Sequence, residues 1–346
     1  MIIIDGIIFS LQKSGGISVY FYELLQRIIK HEESVKSIIY RNDNIYTPLI
    51  NLKENAQIRT HLSLERFRRV NVLGEVGDIF HSSYYRLPGG GYHGKIITTV
   101  HDFTEELYPR GVVSYIHHKQ KRQAILNSDG IICISENTKK DMHKFIPESI
   151  NIPTKVIYNG VGNFQCNDKI GTHESYVIFV GARSGYKNFE MCVTALHKLE
   201  DINLVVVGGG PFSDLEKSLL NSNIPGRYKH VGFVSEAELN VLYQNALALV
   251  YPSYYEGFGI PLIEAMKSGC PVIASKSSSV KEIANDAAVL IESISSDKIQ
   301  DSIVRLKDIS YRFEKIKKGI DTARNFSWDK MASETLDFYN CVRGEK

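Results

Sequence analysis

The sequence predicts an α/β protein of two doubly wound units, each carrying a parallel sheet. Short apolar runs alternate with amphipathic stretches from end to end, and the runs fall into two successive batches. The 346 residues exceed what one hydrophobic core ordinarily serves, so two domains of similar size are expected.

In chain order, buried strands are expected at 2–9, 35–40, 78–81, 95–100, 130–134 and 155–158, each a near-continuous apolar run such as a strand covered on both faces needs. A second series follows at 176–181, 203–207, 230–233, 247–251, 271–274 and 288–291. Helical patterns lie between them, as at 18–30 and 188–199. The polar stretch 165–175 marks the boundary, giving domains 1–165 and 175–326. The remaining segment, 327–346, is amphipathic, with Trp328, Met331, Leu336, Phe338 and Tyr339 among its apolar members. It has no strand to feed and is expected to pack as a helix back onto the first domain.

Composition narrows the class. Lys and Arg number 41 against 39 Asp and Glu, a net charge of +2, which gives no support for nucleic acid as the main partner. Hydrophobic residues at 43% and charged residues at 23% exclude a disordered or fibrous chain. The cysteines Cys133, Cys166, Cys192, Cys270 and Cys341 are odd in number and widely spaced, without a Cys-x-x-Cys pair, so a reducing cytoplasm is the expected setting. No stretch approaches the ~20 apolar residues of a spanning helix, which leaves peripheral membrane contact. Two stretches combine positive charge with apolar groups: 62–70, with Arg66, Phe67, Arg68 and Arg69, and 115–122, with His117, His118, Lys119, Lys121 and Arg122. Either could rest on anionic headgroups or be a solvated helix face.

In open α/β sheets ligands bind beyond the carboxyl ends of the strands, so the loops there are the candidates for chemistry. Ser14-Gly15-Gly16 precedes a helix; it is either an anion-binding turn or a turn that needs positive φ. Val180-Gly181-Ala182-Arg183-Ser184-Gly185-Tyr186-Lys187-Asn188 sets two cations between a strand and a helix, able to grip a diphosphate or to lie solvated. The run from Tyr251 to Met266 is the most specific. Glu256 lies in its glycine-rich loop, Pro261 suits a first helical turn and Glu264 falls about one turn later. Exposed N–H groups over 257–262 suit anionic or hydroxyl oxygens, and the carboxylates suit vicinal hydroxyls. Thr99-Val100-His101-Asp102-Phe103 ends a strand, and His101 is either a base oriented by Asp102 or a structural hydrogen-bonding ring. Gly208-Gly209-Gly210-Pro211 departs from the dinucleotide fingerprint. An Asp-x-Asp metal motif, a Walker loop and a nucleophile elbow are missing from the sequence, and no metal or cofactor is expected.

Taken together, these loops resemble the family 4 retaining glycosyltransferases of GT-B fold, two Rossmann-like domains facing a central cleft. The resemblance runs over nearly the whole chain. It rests on Ile4-Asp5-Gly6, Gly15-Gly16-Ile17, Thr99-Val100-His101-Asp102, Ile134-Ser135-Glu136-Asn137-Thr138, Val156-Ile157-Tyr158-Asn159-Gly160-Val161 and Val180-Gly181-x-Arg183-x-x-x-Lys187-Asn188. The strongest part is Tyr255-Glu256-Gly257-Phe258-Gly259, continuing to Glu264-Ala265-Met266 and Gly269-Cys270-Pro271-Val272-Ile273. Ser279-Val280-Lys281-Glu282 departs from the pattern, in which Pro precedes the Glu, so Glu282 is left out of the site.

The resemblance implies a hexose transferred with retention from a nucleotide sugar to a saccharide acceptor. The second domain would hold the donor and the first the acceptor. Arg183 and Lys187 would bind the diphosphate in place of a metal, with Gly15 and Gly16 lending N–H groups. Glu264 would bind the ribose, while Glu256 and the N–H groups of Gly257, Phe258, Gly259 and Leu262 would hold the donor sugar. His101 would lie near the sugar's outer hydroxyl. GDP-mannose is the expected donor and UDP-hexoses the next. A lipid-linked acceptor of bacterial O-antigen or capsule synthesis, met at the inner face of the cytoplasmic membrane, is the expected setting. The rivals are a GT-B-fold nucleotide-sugar epimerase and a non-catalytic sugar-nucleotide-binding protein.

Overall fold

The computed structural model describes residues 1–31, 34–41, 43–50, 56–166, 175–183 and 185–344. The chain divides into two units: Met1–Gly160 together with Trp328–Lys346, and Val161–Ser327. Most of the stretch read as the boundary, 167–174, lies outside the described residues.

The first unit runs β1 (Ile2–Asp5), α1 (Ile8–Leu11), α2 (Gly16–His31), β2 (Val35–Tyr40), β3 (Ala56–Arg59), β4 (Ile79–Ser82), β5 (Lys95–Val100), α3 (Thr104–Leu107), α4 (Val112–Leu126), β6 (Gly130–Cys133), α5 (Glu136–Phe145) and β7 (Thr154–Val156). Its strands are parallel throughout, in the order β3-β2-β1-β4-β5-β6-β7. One expectation needs correction, and one strand is absent from the expected series. The run 2–9 is a strand only to Asp5, and Ile8 and Phe9 begin a buried helical turn, an apolar run too short for periodicity to assign. The edge strand β3 carries Gln57 and Arg59 and buries none of its residues, so no apolar run betrays it.

Helix α2 buries Tyr20, Phe21, Leu24, Leu25 and Ile28, the stripe a 3.6-residue period brings to one face. The last helix, α13 (Trp328–Arg343), belongs to this unit and buries Trp328, Met331, Ala332, Thr335, Phe338 and Tyr339 in the same way. Its anchor is polar: the Tyr339 hydroxyl lies 2.6 Å from His81 Nδ1, and His81 Nε2 lies 2.8 Å from Thr99 Oγ1. Burial lowers the His81 imidazole to about 3, so the ring is neutral at this bond.

The second unit runs β8 (Tyr176–Val180), α6 (Phe189–Ala195), β9 (Asn203–Val207), α7 (Asp214–Asn223), β10 (Tyr228–Gly232), α8 (Glu236–Asn245), β11 (Ala248–Tyr251), α9 (Ile260–Lys267), β12 (Val272–Ser275), α10 (Ser278–Ala284), β13 (Val289–Ile291), α11 (Ser296–Arg305) and α12 (Ile309–Ala323). The sheet is again parallel, ordered β10-β9-β8-β11-β12-β13. Capping boxes start α7, with Ser213 and Glu216, and α8, with Ser235 and Glu238. The two units are therefore both doubly wound, as their alternation predicts.

Candidate functional site

In the second unit the strand order reverses between β8 and β11, which opens a crevice at their carboxyl ends. The loops leaving these strands carry Lys187 and Glu256. Lys187 Nζ donates to Glu256 Oε1 at 2.5 Å, and both side chains are mostly buried. The loops are tied beside that pair. Asn188, left-handed at φ 55, begins α6 and donates its amide to Pro252 O at 2.8 Å, while Tyr254 N–H reaches Tyr186 O at 2.8 Å.

The start of α10 holds Glu256 from behind. Glu256 N–H donates to Ser278 Oγ at 2.9 Å, and Ser279 Oγ donates to the carbonyls of Glu256 and Phe258 at 2.8 and 3.1 Å. Phe258 packs its ring on Phe326 in the core. Gly259 takes φ 101 at the entry to α9, a conformation that favours glycine. Leu262 has a fully buried side chain, and its N–H, the group expected to meet the donor, already donates to Gly259 O at 3.0 Å.

Glu264 is half-buried on α9 and accepts from the Tyr243 hydroxyl at 3.2 Å. Burial pushes its carboxyl up to about 7; the Glu236 carboxylate adds to the rise and the Tyr243 hydroxyl opposes it. Neither Tyr243 nor Glu236 stands out in the sequence. Both sit in an ordinary amphipathic helix, α8.

Arg183 corrects the picture of two free cations. Its side chain is 3% exposed and paired with Glu216, Nε to Oε1 at 2.6 Å. Nη1 donates to Gly208 O at 2.9 Å, and Nη2 to Gly210 O and Pro211 O, each at 3.0 Å. The Phe212 ring lies beneath, 4.8 Å from the guanidinium carbon. A side chain so committed does not reach out beside Lys187.

In the first unit, His101 is buried at the end of β5, edge-on to Tyr20 with ring centroids 5.1 Å apart. Its Nε2 has no hydrogen-bond partner. Burial lowers the imidazole to about 4 against the opposing pull of Asp102, so the ring is neutral at physiological pH. Asp102, expected to orient that ring, instead accepts at Oδ1 from Thr104 N–H at 2.9 Å. Gly15 and Gly16 begin α2. Neither has positive φ, which removes the turn explanation, and a Cβ on Gly15 would collide with the Gln12 side chain.

A buried network shapes the crevice beyond β1 and β4. Arg86 donates to Asp5 Oδ1 at 3.3 Å, Glu65 Oε1 at 2.8 Å and Arg68 O at 2.9 Å. It thereby fixes the segment that exposes Leu62, Leu64 and Phe67. Lys121, expected on a cationic surface, is fully buried, donating to Asp102 O at 2.8 Å and Glu106 Oε2 at 2.9 Å. Among the described residues no helix is long and apolar enough to cross a membrane. Cys133, Cys192 and Cys270 are buried, Cys166 is half-buried and Cys341 exposed.

Comparison with known proteins finds likenesses over both units. The model of Glycosyltransferase Family 4 matches residues 14–162, and that of Glycosyl transferases group 1 matches 167–325. The chain is 24% identical to O-antigen chain mannosyltransferase B of Escherichia coli, over 94% of this chain and 96% of the relative. It is 28% identical to O-antigen chain mannosyltransferase RfbU of Salmonella typhimurium, over 61% of this chain and 60% of the relative. Among solved structures it resembles sucrose-phosphate synthase from Thermosynechococcus elongatus, with TM-score 0.77, 18% identity and 99% of each chain covered. It also resembles Anabaena HepE in complex with UDP and glucose, with TM-score 0.72, 14% identity and coverage of 97% and 98%. With a parallel doubly wound sheet in each unit, and one family model on each half, the chain belongs to the family 4 glycosyltransferases of GT-B fold.

Proposed function

We propose that this glycosyltransferase moves a hexose from a nucleotide diphosphate sugar to a saccharide acceptor, with retention and without a metal, in O-antigen or capsule synthesis. The observation that carries the reading is the cation–carboxylate pair Lys187–Glu256 at the switch point of the second sheet, with Glu264 on the helix that follows. Lys187 would take the donor diphosphate and stabilise it as it leaves. Glu256, released from Lys187, would accept from donor-sugar hydroxyls beside the N–H groups of Gly257, Phe258 and Gly259. Glu264 would accept from the ribose. From the first unit, Gly15 and Gly16 would offer N–H groups at the start of α2, and neutral His101 would hydrogen-bond an outer hydroxyl of the sugar.

GDP-mannose leads the candidate donors because the relative matched along nearly its whole length is named for O-antigen chain mannosyl transfer. UDP-hexoses follow, since HepE has been solved with UDP and glucose. The acceptor would be a lipid-linked saccharide, met by the first unit at the inner face of the cytoplasmic membrane.

The test is incubation with a panel of nucleotide sugars, with and without lipid-linked saccharides, followed by nucleoside diphosphate release and the anomeric configuration of the product. Acceptor-dependent release with an unchanged anomeric centre, surviving EDTA, is expected. Sugar inversion at a ring carbon without an acceptor would mean an epimerase, and binding without turnover a non-catalytic protein. Loss of activity on chelation, restored by Mg²⁺ or Mn²⁺, would remove the metal-free mechanism.

A further inference from the structure

The glycine-rich loop 208–211, which follows β9 beside the switch point, has an unusual floor. Gly208, Gly209 and Gly210 all take positive φ, at 77, 74 and 72°. Three successive left-handed residues expose backbone to water and lose much entropy on ordering, so such a turn needs external support. Most of that support comes from one side chain. All three nitrogens of the Arg183 guanidinium donate, and their acceptors include the carbonyls of Gly208, Gly210 and Pro211. Fit against the loop is close: a Cβ on Gly209 would fall 2.5 Å from Arg183 Nη1 and 2.7 Å from Gly181 O.

The guanidinium is itself held. Glu216, the residue that closes the capping box of α7, accepts from Arg183 Nε at 2.6 Å and from Nη2 at 3.4 Å, and its Oε2 also accepts from Ser213 N–H at 2.7 Å. His230 Nε2 lies 2.9 Å from Gly208 O, and its ring sits against Phe212, centroids 5.0 Å apart and tilted by 47°. Charge alone does not separate the two cations, since Glu256 pairs with Lys187 as Glu216 pairs with Arg183. What sets Arg183 apart is that its Nη donors are spent on the carbonyls of Gly208, Gly210 and Pro211.

We infer that Arg183 is a positioning residue, clamping the loop 208–211 into the wall of the donor site, while of the two cations it is Lys187 that meets the diphosphate. The inference rests on the nucleotide-sugar reading for its effect on catalysis, and on the hydrogen-bond geometry for the clamp itself. The bonds made to the loop carbonyls need a planar fork with several donors, which an ammonium group cannot reproduce.

The experiment compares Arg183→Ala, Arg183→Lys, Glu216→Ala, the Arg183→Ala/Glu216→Ala pair and Lys187→Ala in the full chain. Binding of nucleoside monophosphate and nucleoside diphosphate is measured by calorimetry, donor KM and kcat by initial rates, and amide exchange over 208–212 by mass spectrometry. A clamp predicts that Arg183→Ala and Glu216→Ala weaken both nucleotides by the same factor, about tenfold, and raise donor KM more than they lower kcat. The pair should be no worse than the poorer single variant, because the two side chains act as one unit. Arg183→Lys should give no rescue. Lys187→Ala should instead cost the diphosphate far more than the monophosphate.

Three results would overturn the clamp: Arg183→Ala selectively weakening the diphosphate, Glu216→Ala leaving affinity intact or improved, or Arg183→Lys restoring it. Exchange separates this idea from the functional reading. Were the wild type to bind neither nucleotide, the nucleotide-sugar reading would fall, yet faster exchange over 208–212 in both Arg183→Ala and Glu216→Ala would still support the clamp. Unchanged exchange in both would refute it. Glu216 is partly exposed, so its replacement is compatible with folding if Arg183→Ala is not.

Discussion

Lys187 and Glu256, 69 positions apart in sequence, meet at 2.5 Å across the crevice between β8 and β11. Each neutralises the other where the donor is expected to bind, so a diphosphate must compete with a carboxylate for the ammonium group. Glu256→Gln should therefore bind the bare nucleoside diphosphate as tightly as the wild type or several-fold more tightly, while transfer falls about 10²-fold or more. Lys187→Ala should lose both. Calorimetry and initial rates check the division, and a Glu256→Gln enzyme with diphosphate affinity reduced tenfold would contradict it.

Glu264 is predicted to carry a pH dependence of nucleotide binding. Its carboxyl sits at about 7, raised by burial, yet its proposed work is to accept from ribose hydroxyls, which the ionised form does best. Nucleoside diphosphate affinity should rise with pH between about 6 and 8, and binding should release a proton. In Glu264→Gln the part of the slope due to this group disappears, leaving only what the phosphate contributes. Titrations in buffers of different ionisation enthalpy measure the proton count directly. Equal counts for wild type and variant would exclude Glu264 as the source.

Much of this arrangement was legible in the sequence, and the misses share a physical cause. Strands buried on both faces announce themselves as apolar runs, which is why β6 at Gly130–Cys133 and β12 at Val272–Ser275 are plain. The exposed edge strand β3 has no such run. Glu256 and Lys187 are recognisable by type and by their place after strands. Arg183 has the same type and place but a different role, because the residue that neutralises it, Glu216, lies 33 positions away on another helix. Local spacing reports which charges exist. Pairing among them depends on which strands adjoin, and that is a property of the sheet order. Lys121 fails for the same reason, its charge being absorbed by Glu106 and the Asp102 carbonyl inside the first unit.

The bond between His81 and Tyr339 makes the last helix part of the first unit's stability. Tyr339→Phe removes the hydroxyl and leaves His81 Nδ1 buried without a partner, so a loss of about 1–3 kcal/mol is expected in chemical denaturation. His81 and His101 both fold with pKa values lowered by burial, to about 3 and about 4. The unfolded chain then binds protons at these rings that the folded chain does not, so their contribution to stability falls as pH drops from about 6.5 towards 4. Asp5 and Glu264 make the opposite contribution, since burial raises their carboxyls to about 6 and about 7. Denaturation curves of the wild type and His101→Gln across that window test the sign: the variant should lose less stability on acidification than the wild type, and an equal or larger loss would contradict it.

The final prediction concerns the surface of the first unit. Val112, Val113, Tyr115 and Ile116 on the first half of α4 are exposed, and so are Leu62, Leu64 and Phe67 on the segment fixed by Arg86. Gln120 Nε2 donates to Arg66 O at 2.6 Å, so the two stretches adjoin as one face. Arg68, Arg69, Lys119 and Arg122 are exposed with them, although Arg122 is shared with Glu148 at 2.5 Å. Apolar side chains ringed by cations suit the boundary of an anionic bilayer, where each Lys or Arg contributes about 1 kcal/mol. Sedimentation with anionic vesicles at low salt should show binding that weakens at high salt and is lost on neutral vesicles. Replacing Arg68 and Arg69 together by Ser removes about 2 kcal/mol and should lower partitioning about 30-fold. The same change at Lys119 and Arg122 should do less, since Glu148 already answers Arg122. Replacing Tyr115 and Ile116 by Ser should weaken binding without changing its salt dependence, because those side chains act through burial and not charge. If the wild type ignores anionic vesicles at low salt, or if the Arg68 and Arg69 change leaves binding as it was, this face is not where the enzyme meets a membrane.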